Sequence, residues 1–322
     1  MLIYKQDALF CVGEIMKKSF NLVKAQNVLD GVYVKEHVDS RKPIAYNYLR
    51  EADVMWSKKI WRMLDLREKQ NFPLYFPTKQ VDYRYSLIDL ILAAAEKGYD
   101  LNEKEADAHL VLYVAAPNDK VVISEFLNPI NPNGLADTAK LKQELYLKFD
   151  VKDEKKAIEN VVTGVWDTTI IHGEMHTSEV LRYIMKEEWY FDKQRAKMEV
   201  RIIGLCPIRV YKDKAVSNAT TNTGGNEEED EQLGMKLLFW VYFPALRPVL
   251  ANHEVFNVNN DAERRTFDDI FYKRKFSSFI IQETNVYDNR QIAEYRYGLD
   301  AQLEAEKIKD FMFKIEHDLW EF

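Results

Sequence analysis

The residues best suited to chemistry form one short cluster, the segment 172–176 with the sequence HGEMH. Two histidines four residues apart share one face of a helix, so His172 and His176 could bind one metal ion with Glu174 close by. The zincin pattern, however, places the glutamate directly after the first histidine, and Gly173 weakens a helix at this point. We therefore interpret the cluster as solvated loop histidines. A metal-dependent hydrolase using His172, Glu174 and His176 is kept as an alternative.

Other catalytic patterns are incomplete. His172 and Glu174 have the spacing of a zinc deaminase, and Cys206 precedes a proline, but the Pro-Cys-x-x-Cys partner is missing. The chain contains neither a phosphate-binding Gly-x-x-x-x-Gly-Lys-Ser/Thr loop nor a Gly-x-Ser-x-Gly nucleophile elbow. Cys11 and Cys206 are the only cysteines, and we interpret them as free buried thiols, with a single bridge between them as the alternative. We predict no cofactor and no enzymatic activity.

Composition and charge exclude two further classes of protein. The 45 basic residues are interleaved with 52 acidic ones, for a net charge of -7, so nucleic acid is not expected as a partner. No apolar run approaches the roughly 20 residues that cross a bilayer. The first 20 residues also lack an apolar stretch of the length typical of an export signal, so no signal peptide is predicted from Met1 onward.

Two segments have apolar residues at helical spacing, and both are predicted to be helices. The first begins at Asp53, a suitable N-cap, and ends before the Asn71-Phe72-Pro73 sequence, because the residue before proline avoids helical dihedral angles. The second is capped by Thr177 or Ser178. Its apolar face carries Val180, Leu181, Ile184 and Met185, with Trp189 on the next turn.

The other elements are predicted by caps and by alternation. Ser86 and Asp89 resemble a capping box for a buried helix over 87–95, and Gly98 is a suitable C-terminal cap. Further helices are predicted over 135–146, 266–272 and 299–319. Strands are predicted over 198–206, 237–243 and 278–284, and as a hairpin over 109–115 and 121–126.

Helices and strands are mixed without a regular strand-helix alternation. This order favours an α+β fold, with helices and antiparallel strands around one or two cores, over a doubly wound α/β sheet. We divide the chain into an N-terminal segment 1–30, an α+β half over 31–150 and a second α+β half over 151–322. The second half contains the acidic segment 214–232, which we predict to be a disordered, mobile loop.

Aromatic residues are unusually frequent, with 6 Trp, 18 Tyr and 17 Phe. Aromatic residues at regular spacing are mostly core residues, but Trp and Tyr also commonly anchor contacts with partner proteins. We take as candidate partner-binding residues Trp56, Trp61, Tyr75, Phe76 and Trp320.

Several stretches resemble the GldN/PorN family of the type IX secretion and gliding machinery of Bacteroidetes. The specific ones are LREADVMWSKKIWR at 49–62, continuing into LDLREK at 64–69 and PLYFP at 73–77, and the ending formed by IKDF at 308–311 and EHDLWEF at 316–322. Between them, YFD at 190–192, IGLCPI at 203–208 and LFWVYFP at 238–244 are similar to the middle of the family. The resemblance extends from about residue 27 to the end.

The resemblance implies a structural component rather than an enzyme. It would be a periplasmic protein, associated with the outer membrane, that self-associates in a ring with a lipoprotein of the GldK/PorK type. The ring would contact the periplasmic part of a GldM/PorM motor component. No catalytic residues are carried over from the family. Because residues 1–20 predict no export signal, a soluble binding module outside secretion remains a further alternative.

Overall fold

A computed structural model describes most of the chain between residues 41 and 319. The described residues are 41–81, 84–98, 109–115, 126, 129–130, 138–151, 154–159, 166–171, 173, 175–212, 233–257, 259–260 and 262–319. The chain divides into two compact units, Met1–Ser40 and Arg41–Phe322, and all described residues lie in the second. Cys11, the segment 1–30 and the acidic segment 214–232 therefore lie outside the described residues.

Six α-helices and nine strands are formed by these residues. The helices are α1 (Phe72–Tyr75), α2 (Leu87–Lys97), α3 (Thr138–Lys148), α4 (Phe243–Asn252), α5 (Phe267–Tyr272) and α6 (Leu299–Asp318). The strands are β1 (Val54–Asp65), β2 (Leu112–Val114), β3 (Glu154–Glu159), β4 (Trp166–Ile171), β5 (Val180–Asp192), β6 (Lys197–Lys212), β7 (Leu233–Leu237), β8 (Phe239–Tyr242) and β9 (Phe279–Glu283).

Seven of the strands form one antiparallel sheet in the order β2-β8-β6-β5-β1-β9, with β7 also pairing with β6. Strands β3 and β4 pair with each other in a separate two-stranded sheet. Strands from before and after residue 150 are combined in the main sheet, since β1 lies between β5 and β9. The antiparallel sheet with helices grouped against it confirms the predicted α+β class.

One face of the main sheet supports the larger core. Residues of β1, β5 and β6 on this face pack with the apolar sides of α2, α4 and α5. The same face of β1 continues at Ile60, which packs with Ile280 of β9 and with Ile308 and Met312 of α6. The helices therefore cover one side of the sheet, and α6 lies at its β1-β9 end.

The opposite face carries a smaller apolar cluster. Its centre is formed by Trp61 of β1, Ile184 of β5, Cys206 of β6 and Trp240 of β8. Successive side chains of a strand point to opposite faces, so Ile60 and Trp61 belong to different cores although they are neighbours. Cys206 is buried in this cluster, which confirms the predicted burial of its side chain.

The helix predicted from Asp53 is wrong, because this segment forms strand β1. Trp56, Ile60 and Leu64 are four residues apart, and a spacing of four places side chains on one face of either a helix or a strand. Continuous pairing with β5 on one side and with β9 on the other makes the strand the stable choice. Asp53 lies in a 3-10 turn and bonds Arg50 at 2.9 Å.

The helix predicted after Thr177 is wrong for the same reason. Residues Thr177–Glu179 form a 3-10 turn, and β5 begins at Val180 and pairs with β1 and β6. Val180 and Ile184 would share one face of a helix, but in β5 they lie in the larger and the smaller core, because the strand register shifts between Val180 and Arg182. Both errors fall on strands that are paired on both sides in the sheet.

The caps predicted for α2 are confirmed, whereas those assigned to Asp53 and to Thr177 or Ser178 do not begin helices. The Ser86 hydroxyl accepts a hydrogen bond from the Asp89 amide at the start of α2, and Gly98 follows its end at a φ of 97°. Thr266 and Asp269 form a capping box that begins α5. Helices α3 and α6 and strands β6, β8 and β9 lie where helices and strands are predicted.

Two elements differ from the sequence-based interpretation. Helix α4 was not predicted; it follows β8 directly, with Pro244 in its first turn, where the missing amide hydrogen is not needed. In the predicted hairpin, the first strand is confirmed as β2, and its described partner is β8. The second strand lies almost entirely outside the described residues.

Candidate interaction surface

The two predicted tryptophans of β1 lie in different surroundings. Trp61 is buried at 3% exposure in the smaller core, where the Lys186 ammonium lies 5.1 Å from its ring centroid. Trp56 is half-buried and packs against the cluster that joins β1 to α6. The described surface therefore includes Trp56 but hardly any of Trp61.

Tyr75 and Phe76 form a corner at the end of α1. Their rings meet edge to face with centroids 4.8 Å apart, and Phe76 makes a similar contact with Phe72 at 5.7 Å. The Tyr75 hydroxyl donates to the Ser178 carbonyl at 2.9 Å, and burial raises the pKa of this tyrosine. Tyr75 is thus tied to the turn before β5, whereas the Phe76 ring is exposed.

The remaining candidates are only partly described. Trp320, His172 and Glu174 lie outside the described residues, and His176 is exposed just before the turn that precedes β5. Among the residues with a described position, no group of three or more His, Cys, Asp or Glu is arranged to hold a metal ion.

The structure brings together the two sequence motifs that carry the family resemblance. Lys58 of β1 lies 5.4 Å from the ring centroid of Phe311 in α6, and its ammonium bonds Glu283 of β9 at 2.7 Å. Ile60 packs against Ile308 of the same helix. The segments 49–62 and 308–322 are far apart in sequence, yet they meet at one end of the sheet.

The connection between β9 and α6, residues 284–298, projects beside this junction, and we call it the Arg290 loop. Its tip contains Asp288 and Asn289, which both have a φ of 53°. Two consecutive residues with left-handed backbone dihedral angles form a tight turn, and Asn and Asp tolerate these angles best among non-glycine residues. The Asn289 side chain accepts from the Asn285 amide at 3.0 Å, and the Asn285 side chain accepts from the Tyr287 amide at 3.0 Å.

The guanidinium of Arg290 organises the aromatic residues of the loop. It lies 4.6 Å from the ring centroid of Tyr287 and 4.3 Å from that of Tyr295. Burial raises the pKa of Tyr295, Glu304 and Glu283 raise it further, and Arg290 opposes them. Tyr295 packs on the cluster between β1 and α6, so the loop is held against the sheet through this ring.

The outer side of the loop is apolar and exposed. Val286 is 91% exposed and Tyr297 is 77% exposed, and Tyr287 and Leu299 are also mostly open to solvent. Exposed Tyr and Arg side chains on a rigid backbone are typical of protein-binding hot spots, because little entropy is lost on binding. This arrangement suits recognition of a protein surface.

Sequence reasoning missed this surface. The tandem Asp288-Asn289 was an available turn signal, and the tyrosines around it share no period with a helix or a strand. The stacking of Arg290 on two rings follows from the loop conformation, which the sequence alone does not give.

No helix among the described residues is long and apolar enough to span a membrane. No curated protein gives a significant match to this chain. A family model described as the gliding motility associated protein GldN matches residues 49–321, which is nearly the whole chain. That range begins in the segment that leads into β1 and includes all of α6, so it contains both motifs that meet at the β1-α6 junction. The chain therefore belongs to the GldN family of gliding motility associated proteins.

Proposed function

We propose that this protein is a structural subunit of the type IX secretion and gliding machinery. In this proposal it lies in the periplasm at the outer membrane, where copies of it form a ring with a lipoprotein of the GldK/PorK type. The ring contacts a GldM/PorM-type motor component. The observation that carries the proposal is the family match over residues 49–321.

The Arg290 loop supports a role in assembly. The turn that carries Val286 and Tyr287 is ordered by hydrogen bonds from backbone amides to the Asn285 and Asn289 side chains, and Arg290 stacks on Tyr287 and Tyr295. Preorganisation of this kind favours affinity, because the entropic cost of ordering the surface is already met in the free protein. We assign the loop and the exposed side of α6 to the contact with another component of the ring.

Co-purification with the lipoprotein tests the proposal. The full chain and a GldK/PorK-type lipoprotein, expressed together, should elute as particles much larger than either protein and should appear as rings or arcs by electron microscopy. Fractionation of the native cells should recover the protein with the outer membrane. A chain that stays monomeric in the presence of the lipoprotein would contradict the proposal.

A further inference from the structure

The residues that lead into β1 form an extended segment, 41–48, which we call the strap. It contains neither helix nor strand. Tyr48 is 86% exposed and Ile44 is also exposed, whereas Tyr46 is largely covered. One aromatic side chain of the strap is therefore inserted into the body of the protein, while its neighbours point to solvent.

The Tyr46 ring packs against the guanidinium groups of two arginines. The Arg247 guanidinium lies 4.3 Å from the Tyr46 ring centroid, and the Arg201 guanidinium lies 5.3 Å from it. Arg247 is buried in α4 and fixed by Asp268, which accepts hydrogen bonds of 2.9 and 3.1 Å from it. Because the guanidinium is already oriented, the two arginines form a prepared slot for an aromatic ring. We call this pair the arginine slot.

The strap has little other attachment. Arg201 also lies 5.2 Å from the Tyr190 ring centroid and donates a hydrogen bond to the carbonyl of Asn47. Among described residues this is the only hydrogen bond made by residues 41–48. Beside the strap, a cleft of about 330 Å³ opens between Asn47, Val200 and Tyr272. The strap is thus held through Tyr46 and the neighbouring Asn47 carbonyl, beside a surface that is not closed around it.

We propose that the strap is exchanged between copies of this chain, so that Tyr46 of one subunit occupies the arginine slot of the next. This inference rests on the proposed ring assembly. Every contact of an exchanged strap is identical to the contact within one chain, so exchange loses no interaction and needs only a change of direction at the hinge. Passing the strap to one neighbour and receiving it from the other produces a head-to-tail contact, the type of contact that forms a ring when the rotation between successive subunits closes.

Chain geometry limits where the neighbouring slot can lie. The start of β1 is fixed by the 2.9 Å bond between Arg50 and Asp53, so the hinge falls between Asn47 and Arg50. An extended chain spans at most about 3.5 Å per residue, so four residues let Tyr46 reach about 14 Å from that pivot. The slot of the neighbour must therefore lie close to the base of β1, which requires subunits in direct contact.

Cysteine cross-linking distinguishes exchange from a strap that stays in its own chain. Asn47→Cys and Val200→Cys are placed in two differently tagged chains that carry Cys11→Ser and Cys206→Ala, and these are co-expressed with the lipoprotein. Oxidised assemblies should contain a disulfide that joins the two tags. A chain carrying both cysteines reports on the same pair within one molecule.

The cross-linking result separates strap exchange from the ring proposal. Assemblies with cross-links between chains support exchange. Assemblies in which the double-cysteine chain forms only an internal bond overturn exchange and leave the ring proposal standing. If no assembly forms with the lipoprotein, the proposed function fails, and strap exchange fails with it.

Substitution of Tyr46 gives a second measurement. Tyr46→Ala should lower the fraction of assembled protein about tenfold, since it removes the cation–π contacts with both arginines. Tyr46→Phe keeps the ring and should assemble like the natural chain. Tyr48→Ala, on the exposed side of the same strap, is the matched control. Equal loss of assembly in Tyr46→Ala and Tyr48→Ala would overturn the role of the slot.

Discussion

Arg274 and Arg290 both stack on two aromatic rings, but the half-buried Arg274 reaches a buried carboxylate, whereas Arg290 lies on the surface. Arg274 lies 5.3 Å from the Trp189 ring centroid and 5.2 Å from that of Phe276. It also makes hydrogen bonds of 2.7 and 3.2 Å to Glu187, a carboxylate with 0% exposure. Arg290 stacks on two tyrosines instead and, among described residues, forms no ion pair.

The difference shows which of the two stacks stabilises the fold. A buried carboxylate is tolerated only with charged and hydrogen-bonding partners, and Glu187 has both Arg274 and the Trp189 indole, which donates at 2.9 Å. Arg274 also has a φ of 51°, a conformation that is strained for a residue with a side chain. We infer that the Glu187 contact compensates for this strain. The Arg290 stack compensates for neither a buried charge nor backbone strain at Arg290, so it is available for binding a partner protein.

The largest expected effect is that of Glu187→Ala. Removal of the Glu187 carboxylate leaves the Arg274 and Arg62 guanidiniums without their buried counter-charge. Burial lowers the pKa of Arg62, Glu187 raises it, and Arg274 lowers it. We expect the free energy of unfolding to fall by about 3 kcal/mol, as when one partner of a buried ion pair is removed. Urea denaturation measures the change.

The matched control is Glu188→Ala, on the next residue of β5, which is half-buried. It should change stability by no more than about 0.5 kcal/mol, the usual range for sites without special contacts. Equal destabilisation by both variants would show that the contact between Glu187 and Arg274 contributes no special stability to the fold.

Asp65 is expected to give an intermediate effect, because it lies at the end of β1 between the interior and the solvent. Hydrogen bonds from Arg67 are the main cause that lowers the pKa of Asp65 to about 2. A lowered pKa stabilises the fold above the pKa of the unfolded state, near pH 4, and this contribution is lost as the pH falls towards about 2. Asp65→Asn should therefore destabilise the protein at neutral pH by about 1 kcal/mol.

The pH dependence provides the control for Asp65. The difference in melting temperature between the natural chain and Asp65→Asn should be largest at pH about 6 and should decrease as the pH approaches about 2. A difference that stays constant over this range would mean that the carboxylate charge is not the cause.

The smallest effect on stability is expected from Arg290→Ala. The side chain is on the surface, so unfolding should change by less than about 0.5 kcal/mol. Binding to the ring partner should weaken about tenfold or more, since Tyr287 and Tyr295 lose the group that orders them. Sedimentation of the co-expressed lipoprotein complex measures this, with Val81→Ala as a control at an exposed site outside the loop. Unchanged assembly would remove the Arg290 loop from the proposed interface.

The sequence predicted the elements whose ends are encoded locally. The Ser86 side chain accepts from the Asp89 amide at the start of α2, a contact that depends only on residues three positions apart. Helix α5 begins at the predicted position, where Thr266 and Asp269 form a capping box. The long apolar stripe of α6 and the family membership were also readable without a structure, since both are properties of the linear chain.

The tertiary structure alone decided the centre of the sheet and the candidate surfaces. The spacing of four between Ile60 and Leu64 fits both a helix and a strand, and only pairing with β5 and β9 selects the strand. Similarly, the insertion of Tyr46 between α4 and β6 residues depends on contacts across 155 to 201 positions of sequence. Such contacts leave no local pattern, because the energy that selects them comes from pairing and packing between segments far apart in the chain.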